Sequence, residues 1–208
     1  MEAEKLRIFD DQLNEIGIAP RSEVHRKGYW HEVFHCWFVS RKAGEDYIYL
    51  QLRSKSKKDY PDLFDITAAG HLLADETVED GVREIAEEIG INVPFDELVP
   101  LGIFEYIATK DDFIDKEIAN VFLLDFKDGF DEFTLQTEEV SGMVKVRLNE
   151  FVQLWTGEKD RVEINGFVLD ENGERFSVNE RAGREKFVPH QRSFYNQVIQ
   201  KIVKYLNE

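Results

Sequence analysis

The chain has 208 residues, with 42 acids against 26 bases and a net charge of −16. So acidic a chain excludes extended contact with a nucleic-acid polymer, which needs a basic footprint, and adhesion to an anionic membrane. A small phosphorylated substrate stays allowed, because a bound cation can carry the local field. The single cysteine, Cys36, excludes an internal disulfide. There is no apolar run near the about 18 residues of a membrane span and no basic-then-apolar leader after Met1, so the expected setting is cytoplasmic.

Residues 1–20 read as an N-terminal extension, with a short strand or helical turn over 9–17 and a connector at 18–21 broken by Pro20. A polar stretch over 21–28 ends at a turn. Aromatic-rich WHEVFHCWFVS at 30–40 reads as a long central strand, and a turn at 42–46 joins it to YIYLQLR at 47–53, the second strand of a hairpin. The loop SKSKKDYPD at 54–62 carries Lys55, Lys57 and Lys58, candidate phosphate ligands in a chain with few cations. A short strand at 64–69 leads into the stretch that organises the chain. Beyond it, 101–109 and 117–126 read as strands joined by a polar turn at 110–116, 128–137 as loop, 140–147 as a strand and 148–155 as a short helix. Residues 162–176 carry two turn signals, Asn165-Gly166 and Glu171-Asn172-Gly173-Glu174, and read as a small hairpin. Phe194, Val198, Ile202 and Leu206 recur at the period of a closing amphipathic helix over 189–206. The sum is one α/β domain over 1–208 with a mixed sheet and at least three helices.

The organising stretch is GHLLADETVEDGVREIAEEIGI, Gly70 to Ile91. Thr77 with Asp80 three residues on forms an imperfect capping box. Val78, Val82, Ile85 and Ile89 fall on one helical face, and Gly90 suits the position just past a helix end. On the other side Glu84, Glu87 and Glu88 stand at i, i+3 and i+4, so their carboxylates converge. Like charges at those spacings destabilise a bare helix by roughly a few tenths of a kcal/mol per pair. A hard divalent cation such as Mg²⁺ reverses the sign, whereas without one the three form a solvated acidic face.

REIAEEIGI resembles the second half of the Nudix box, R-E-aliphatic-x-E-E-x-G-aliphatic, and Gly70 followed after five residues by Glu76 resembles its first half. The box has seven residues between that glutamate and the arginine, and this chain has six, 77–82. One residue lost from a helix turns everything beyond it by about 100°. Either the loop-to-helix junction absorbs the loss, or Glu76 no longer meets Arg83. Counted back from Arg83, Asp75 takes the glutamate's place and Ala69 the glycine's. The resemblance implies a mixed, twisted sheet between helical layers, an α/β/α sandwich with the box at 70–91 as loop–helix–loop. It also implies Mg²⁺ or Mn²⁺ on Glu84, Glu87 and Glu88, and a homodimer is common in the family.

The likeness extends over 21–150 toward the isopentenyl diphosphate isomerase-like branch, carried by VHRKGYWHEVFHCWF and YLQLRSKSKKDYPDLFDITAAGHL. True isomerases place a cysteine just before the Gly-His or Ser-His; here Ala69 stands there, and alanine has no proton to give. Cys36, on an earlier strand, reads as a small buried hydrophobe. His25, His31, His71, Asp115 and Glu117 fall near the residues that hold a metal in the isomerases, and such mixed ligands suit Zn²⁺ or Mn²⁺. Without a metal they shape the pocket; His35 and His190 match no motif and read as structural.

The resemblance therefore implies a metal-dependent pyrophosphohydrolase acting on a nucleoside diphosphate linked to another group. Glu84 or Glu87 within the box, or Glu138 or Glu139 from a later loop, would serve as base, with Arg83 steadying a carboxylate. Arg53 resembles the arginine of the family's Q-x-R pattern and would bind phosphate or pair with an acid. Lys57, Gly70 and Glu76 complete the expected substrate side, and Tyr29, Trp30 or Phe104 would stack on a base. A diphosphate-binding protein without turnover and an isomerase-like enzyme are the alternatives. Sugar nucleotides, dinucleotides, nucleoside triphosphates and coenzyme A all remain open as substrates.

Overall fold

The computed structural model describes residues 4–110 and 113–208. The strands are β1 (Lys5–Phe9), β2 (Glu15–Pro20), β3 (Trp30–Lys42), β4 (Glu45–Arg53), β5 (Phe64–Asp65), β6 (Ala68–His71), β7 (Val99–Lys110), β8 (Phe113–Asp125), β9 (Val140–Arg147), β10 (Arg161–Leu169) and β11 (Arg175–Gly183). The α-helices are α1 (Arg21–Lys27), α2 (Arg83–Ile89), α3 (Leu148–Thr156) and α4 (Arg192–Asn207). Among the described residues the strands form one mixed sheet in the order β11-β10-β9-β4-β3-β1-β2, with β8 parallel to β3 and β7 antiparallel to β8.

β3 is the hub, and its alternation builds both layers. Val33, Trp37 and Val39 pack with Phe151, Leu154, Tyr195 and Val198 under α3 and α4. Phe34, Cys36 and Phe38 pack on the opposite face with Ile85 and Ile89 of α2. Each of these large side chains contributes about 1.5–3 kcal/mol by leaving water. Cys36 is fully buried, and burial pushes its thiol well up, so it behaves as a small hydrophobe. Helices thus cover both faces of a mixed sheet, the α/β/α arrangement expected. No helix among the described residues is long and apolar enough to cross a membrane.

Several local expectations are corrected. In the segment over 9–17, Phe9 ends β1 and residues 15–17 begin β2, and the turn lies at 10–14, where Asp10 Oδ1 accepts the N–H groups of Gln12 and Asn14 at 2.9 Å. Of the connector at 18–21, residues 18–20 end β2, an edge strand on which the missing N–H of Pro20 costs nothing, and Arg21 begins α1. The polar stretch over 21–28 is α1, too short to show a period, with Val24 and His25 as its buried residues. The strand over 64–69 is split in two at Thr67. Its hydroxyl accepts the Phe38 N–H at 2.9 Å and donates to the Tyr49 carbonyl at 2.6 Å, replacing the ladder there. Asn165-Gly166 is not a turn but the middle of β10, where a Cβ at Gly166 would lie 2.0 Å from the Met143 carbonyl oxygen. Only the second turn signal, over 170–174, joins β10 to β11. Of the turn expected over 110–116, residues 111 and 112 lie outside the described residues, and β7 and β8 run up to them.

Candidate active site

A cavity of about 370 Å³ opens beside β6, the short strand that feeds the box. β6 pairs antiparallel with β3, Val33 opposite His71, Phe34 opposite Gly70, His35 opposite Ala69 and Cys36 opposite Ala68. Successive side chains alternate, so the two faces of β6 serve two groups of residues.

The first group is acidic and comes from α2. Gly70 faces it: a Cβ there would lie 2.1 Å from the Glu84 carboxyl carbon, so only glycine admits Glu84 to this position. Glu88 is 5% exposed and accepts the Ala69 N–H at 3.0 Å and the Gln51 amide at 3.1 Å. Burial raises the Glu84 carboxyl to about 7 and, with the Glu84 charge beside it, the Glu88 carboxyl to about 8. Glu87 is more exposed and sits on the rim. Two carboxylates held together out of water, on a cavity wall, fit a divalent ion whose oxygen ligands they would be.

Arg83 answers the question of the shortened box. Its Nε lies 2.5 Å and its Nη2 2.9 Å from the two Glu76 oxygens, a bidentate grip, and it also reaches Glu84, Glu87 and the His71 carbonyl oxygen. Glu76 therefore meets Arg83, and the junction absorbs the lost residue. The expected helix from Val78 is instead a 3-10 turn over Glu79–Val82 followed by α2. A 3-10 residue turns about 120° against about 100° in an α-helix, so four of them recover roughly 80° of the about 100° lost. Asp80 accepts the Thr77 N–H at 2.8 Å and its hydroxyl at 2.7 Å, and Gly90 closes α2 in the left-handed region at φ +74°.

The second group lies on the other face of β6. The rings of His25, His31 and His71 stand 5.0–5.3 Å apart, and His25 Nε2 and His31 Nε2 lie 3.3 and 3.4 Å from Asp115 Oδ1. His25 Nδ1 faces the Arg21 carbonyl at 3.0 Å and His31 Nδ1 the Tyr29 carbonyl at 3.3 Å. A carbonyl only accepts, so each Nδ1 carries the proton, and burial lowers His31 to about 4. The His31 Nε2 lone pair thus points at a carboxylate oxygen. His25 Nε2, His31 Nε2 and Asp115 Oδ1 are all buried without a hydrogen-bond partner. Ligand atoms of His25, His31 and His71 lie within 4.8 Å of one another, as do those of His31, Asp115 and Glu117. These donors fit a borderline transition-metal ion.

The remaining expected residues divide. Lys57 lines the cavity and pairs closely with Glu139, whose backbone carbonyl accepts the Ser54 N–H. Glu138 is exposed and does not line the cavity, and neither do Lys55 and Lys58. Arg53 lines it but pairs with Asp65 at 2.9 Å and donates to the Asp59 carbonyl. Tyr29, Trp30 and Phe104 do not line it; Tyr60, Tyr106 and Phe113 do. His35 and His190, read as structural, also stand on its walls. Sequence reasoning missed Arg21, Asp65 and Tyr106, because they come from segments with no motif of their own.

The family model described as NUDIX domain matches residues 29–165. An uncharacterized Nudix hydrolase of Clostridium acetobutylicum is 37% identical over 205 residues, covering 98% of each chain. Isopentenyl-diphosphate Delta-isomerase of Corynebacterium diphtheriae is 30% identical over 158 residues, 73% of this chain and 82% of that one. A solved structure from Deinococcus radiodurans superposes with a TM-score of 0.56 at 19% identity, covering 75% of this chain and 91% of that one, a likeness of fold. The chain belongs to the Nudix family and is a Nudix hydrolase. Its weaker identity to isomerases fits the isomerase-like branch.

Proposed function

We propose that the chain is a metal-dependent pyrophosphohydrolase that cleaves a nucleoside diphosphate linked to another group. One observation carries the reading: Glu84 and Glu88 are buried together on the cavity wall, both raised by burial, beside an intact Arg83–Glu76 clamp. Glu84, Glu87 and Glu88 would hold Mg²⁺ or Mn²⁺, and His25, His31, His71, Asp115 and Glu117 would hold a second ion of the Zn²⁺ or Mn²⁺ kind. Such ions, when bound, neutralise the diphosphate and make a water more acidic.

The chain's own groups do the rest. Lys57 and Arg21, both on the cavity wall, attract the phosphates, and Arg53 holds the wall in place through Asp65. Water attacks a phosphorus in line with the bridging oxygen. Glu139 takes its proton, the bridge breaks and two phosphate-bearing products leave. Glu139 is favoured over Glu138 because only the former reaches the cavity. Arg83 fixes the carboxylates of Glu76, Glu84 and Glu87 in one array, which limits the reorganisation needed when substrate arrives. An isomerase mechanism finds no proton carrier at Ala69.

The test is nucleotide or phosphate release from a panel of sugar nucleotides, dinucleotides, nucleoside triphosphates and coenzyme A, with Mg²⁺ or Mn²⁺, wild type beside Glu87→Gln. Metal-dependent turnover that collapses in the variant supports the reading. Metal binding without turnover on any compound would favour a diphosphate-binding protein instead.

A further inference from the structure

The segment before β1 lies against the histidine group. Its main chain is pinned on two sides: the Glu4 carbonyl accepts the Arg21 N–H at 2.9 Å, and the Lys5 carbonyl accepts the Ala74 N–H at 2.8 Å. Arg21 opens α1, which carries His25, and Ala74 stands three residues past His71. Leu6 is fully buried and packs with Ile8, Ala19 and Val24, with Leu73 against them. Glu4 is thus fixed between the segments that deliver two of the three histidines, and it lines the cavity. Its Oε2 lies 3.7 Å from His71 Nδ1 and 3.7 Å from Arg21 Nε.

Each of the three rings turns Nδ1 toward an oxygen. For His25 and His31 that oxygen is a backbone carbonyl, of Arg21 and of Tyr29; for His71 it belongs to the Glu4 carboxylate. A metal-bound histidine donates its other ring N–H to such an acceptor, which fixes its tautomer and orientation and makes the ligating nitrogen more basic. We infer that Glu4 is a positioning residue of the histidine site, accepting the His71 Nδ1–H so that Nε2 keeps its lone pair for the ion. The inference rests on the second-ion reading above and adds the N-terminal segment to that site. At 3.7 Å the contact is an ion-pair distance rather than a hydrogen bond, and a rotamer adjustment of the partly exposed Glu4 side chain closes it.

The test is Zn²⁺ binding by competition with a chromophoric chelator, in excess Mg²⁺ to occupy the glutamates of α2. Glu4→Leu removes the acceptor and keeps the bulk, and it is expected to bind Zn²⁺ about tenfold more weakly than wild type. Glu4→Gln, whose amide oxygen still accepts, keeps the affinity within about threefold. In a His71→Ala background Glu4→Leu changes the affinity by less than about twofold. Wild-type affinity in Glu4→Leu overturns the inference and leaves the second-ion reading intact. An equal loss in Glu4→Gln overturns it too, because Glu4 would then be a direct ligand. So does a tenfold loss that persists without His71, because Glu4 would then act through Arg21. Should Glu4→Leu fail to fold, nitrogen NMR of the ion-free wild type decides: His71 protonated on Nδ1 supports the inference, and His71 protonated on Nε2 overturns it. No Zn²⁺ binding by wild type refutes the second-ion reading and the inference with it.

Discussion

Replacing Glu88 by glutamine probes the candidate ion site without any substrate. Burial and the neighbouring Glu84 raise the Glu88 carboxyl from the ordinary 4.5 to about 8 in the ion-free protein. Between those values the folded chain holds a proton that the unfolded chain has released, so stability is lost as pH rises through this window. At about 1.4 kcal/mol per tenfold the ceiling is about 5 kcal/mol. Water admitted to the open cavity screens the charge, so a loss of about 2 kcal/mol is expected. Glutamine keeps a carbonyl oxygen for the Ala69 N–H and the Gln51 amide, and it never ionises. In urea unfolding at about pH 8.5 without divalent ions, Glu88→Gln should be the more stable protein by about 2 kcal/mol, and at about pH 5 the two should agree within about 0.5 kcal/mol. Mg²⁺ should stabilise wild type at the higher pH by more than it stabilises the variant. A variant less stable than wild type at both pH values, with the same response to metal, would refute the reasoning.

Gly70→Ala should push Glu84 out of position and weaken Mg²⁺ binding by about tenfold or more in titration calorimetry, with the circular dichroism spectrum unchanged. Arg83→Lys keeps the charge but loses the fork on Glu76, and thermal unfolding should report a loss of about 1–3 kcal/mol. Elemental analysis after Zn²⁺ or Mn²⁺ loading and dialysis should find one ion fewer in His31→Ala than in wild type. Glu139→Gln should lower kcat about 100-fold with little change in KM, whereas Glu138→Gln should match wild type in the same steady-state assay.

Much of this was readable in the sequence because the informative residues lie close together. The 22-residue stretch from Gly70 to Ile91 carries its own periodicity and spelling, so its helix, glutamates and arginine could be placed before any fold was known. The central hairpin of β3 and β4 was readable from alternation and a turn. What could not be read was long-range. Arg21 reaches the cavity from a seven-residue helix that shows no period. His190 reaches it because the segment before α4 pairs back on β5, Val188 N–H to the Phe64 carbonyl at 2.8 Å. His35 looked like one more residue of an aromatic strand, and only the pairing of β3 with β6 and β8 shows what it faces. The missing box residue was readable as an alternative but not as an outcome, since the choice between 3-10 and α geometry depends on what Arg83 finds to hold.

β6 sets a limit on how the chain can change in length. Its four residues are held by four cross-strand partners on β3, and side chains on a strand alternate. A slip by a single residue would turn an alanine methyl or a histidine ring toward Glu84 and leave the glycine among the histidines, so both groups of ligands would be lost in one step. Downstream, the 3-10 turn over Glu79–Val82 has absorbed a deletion by twisting more tightly. Tolerance to deletion is thus directional: the segment after β6 is one residue short and still delivers its arginine, while β6 itself must keep its phase.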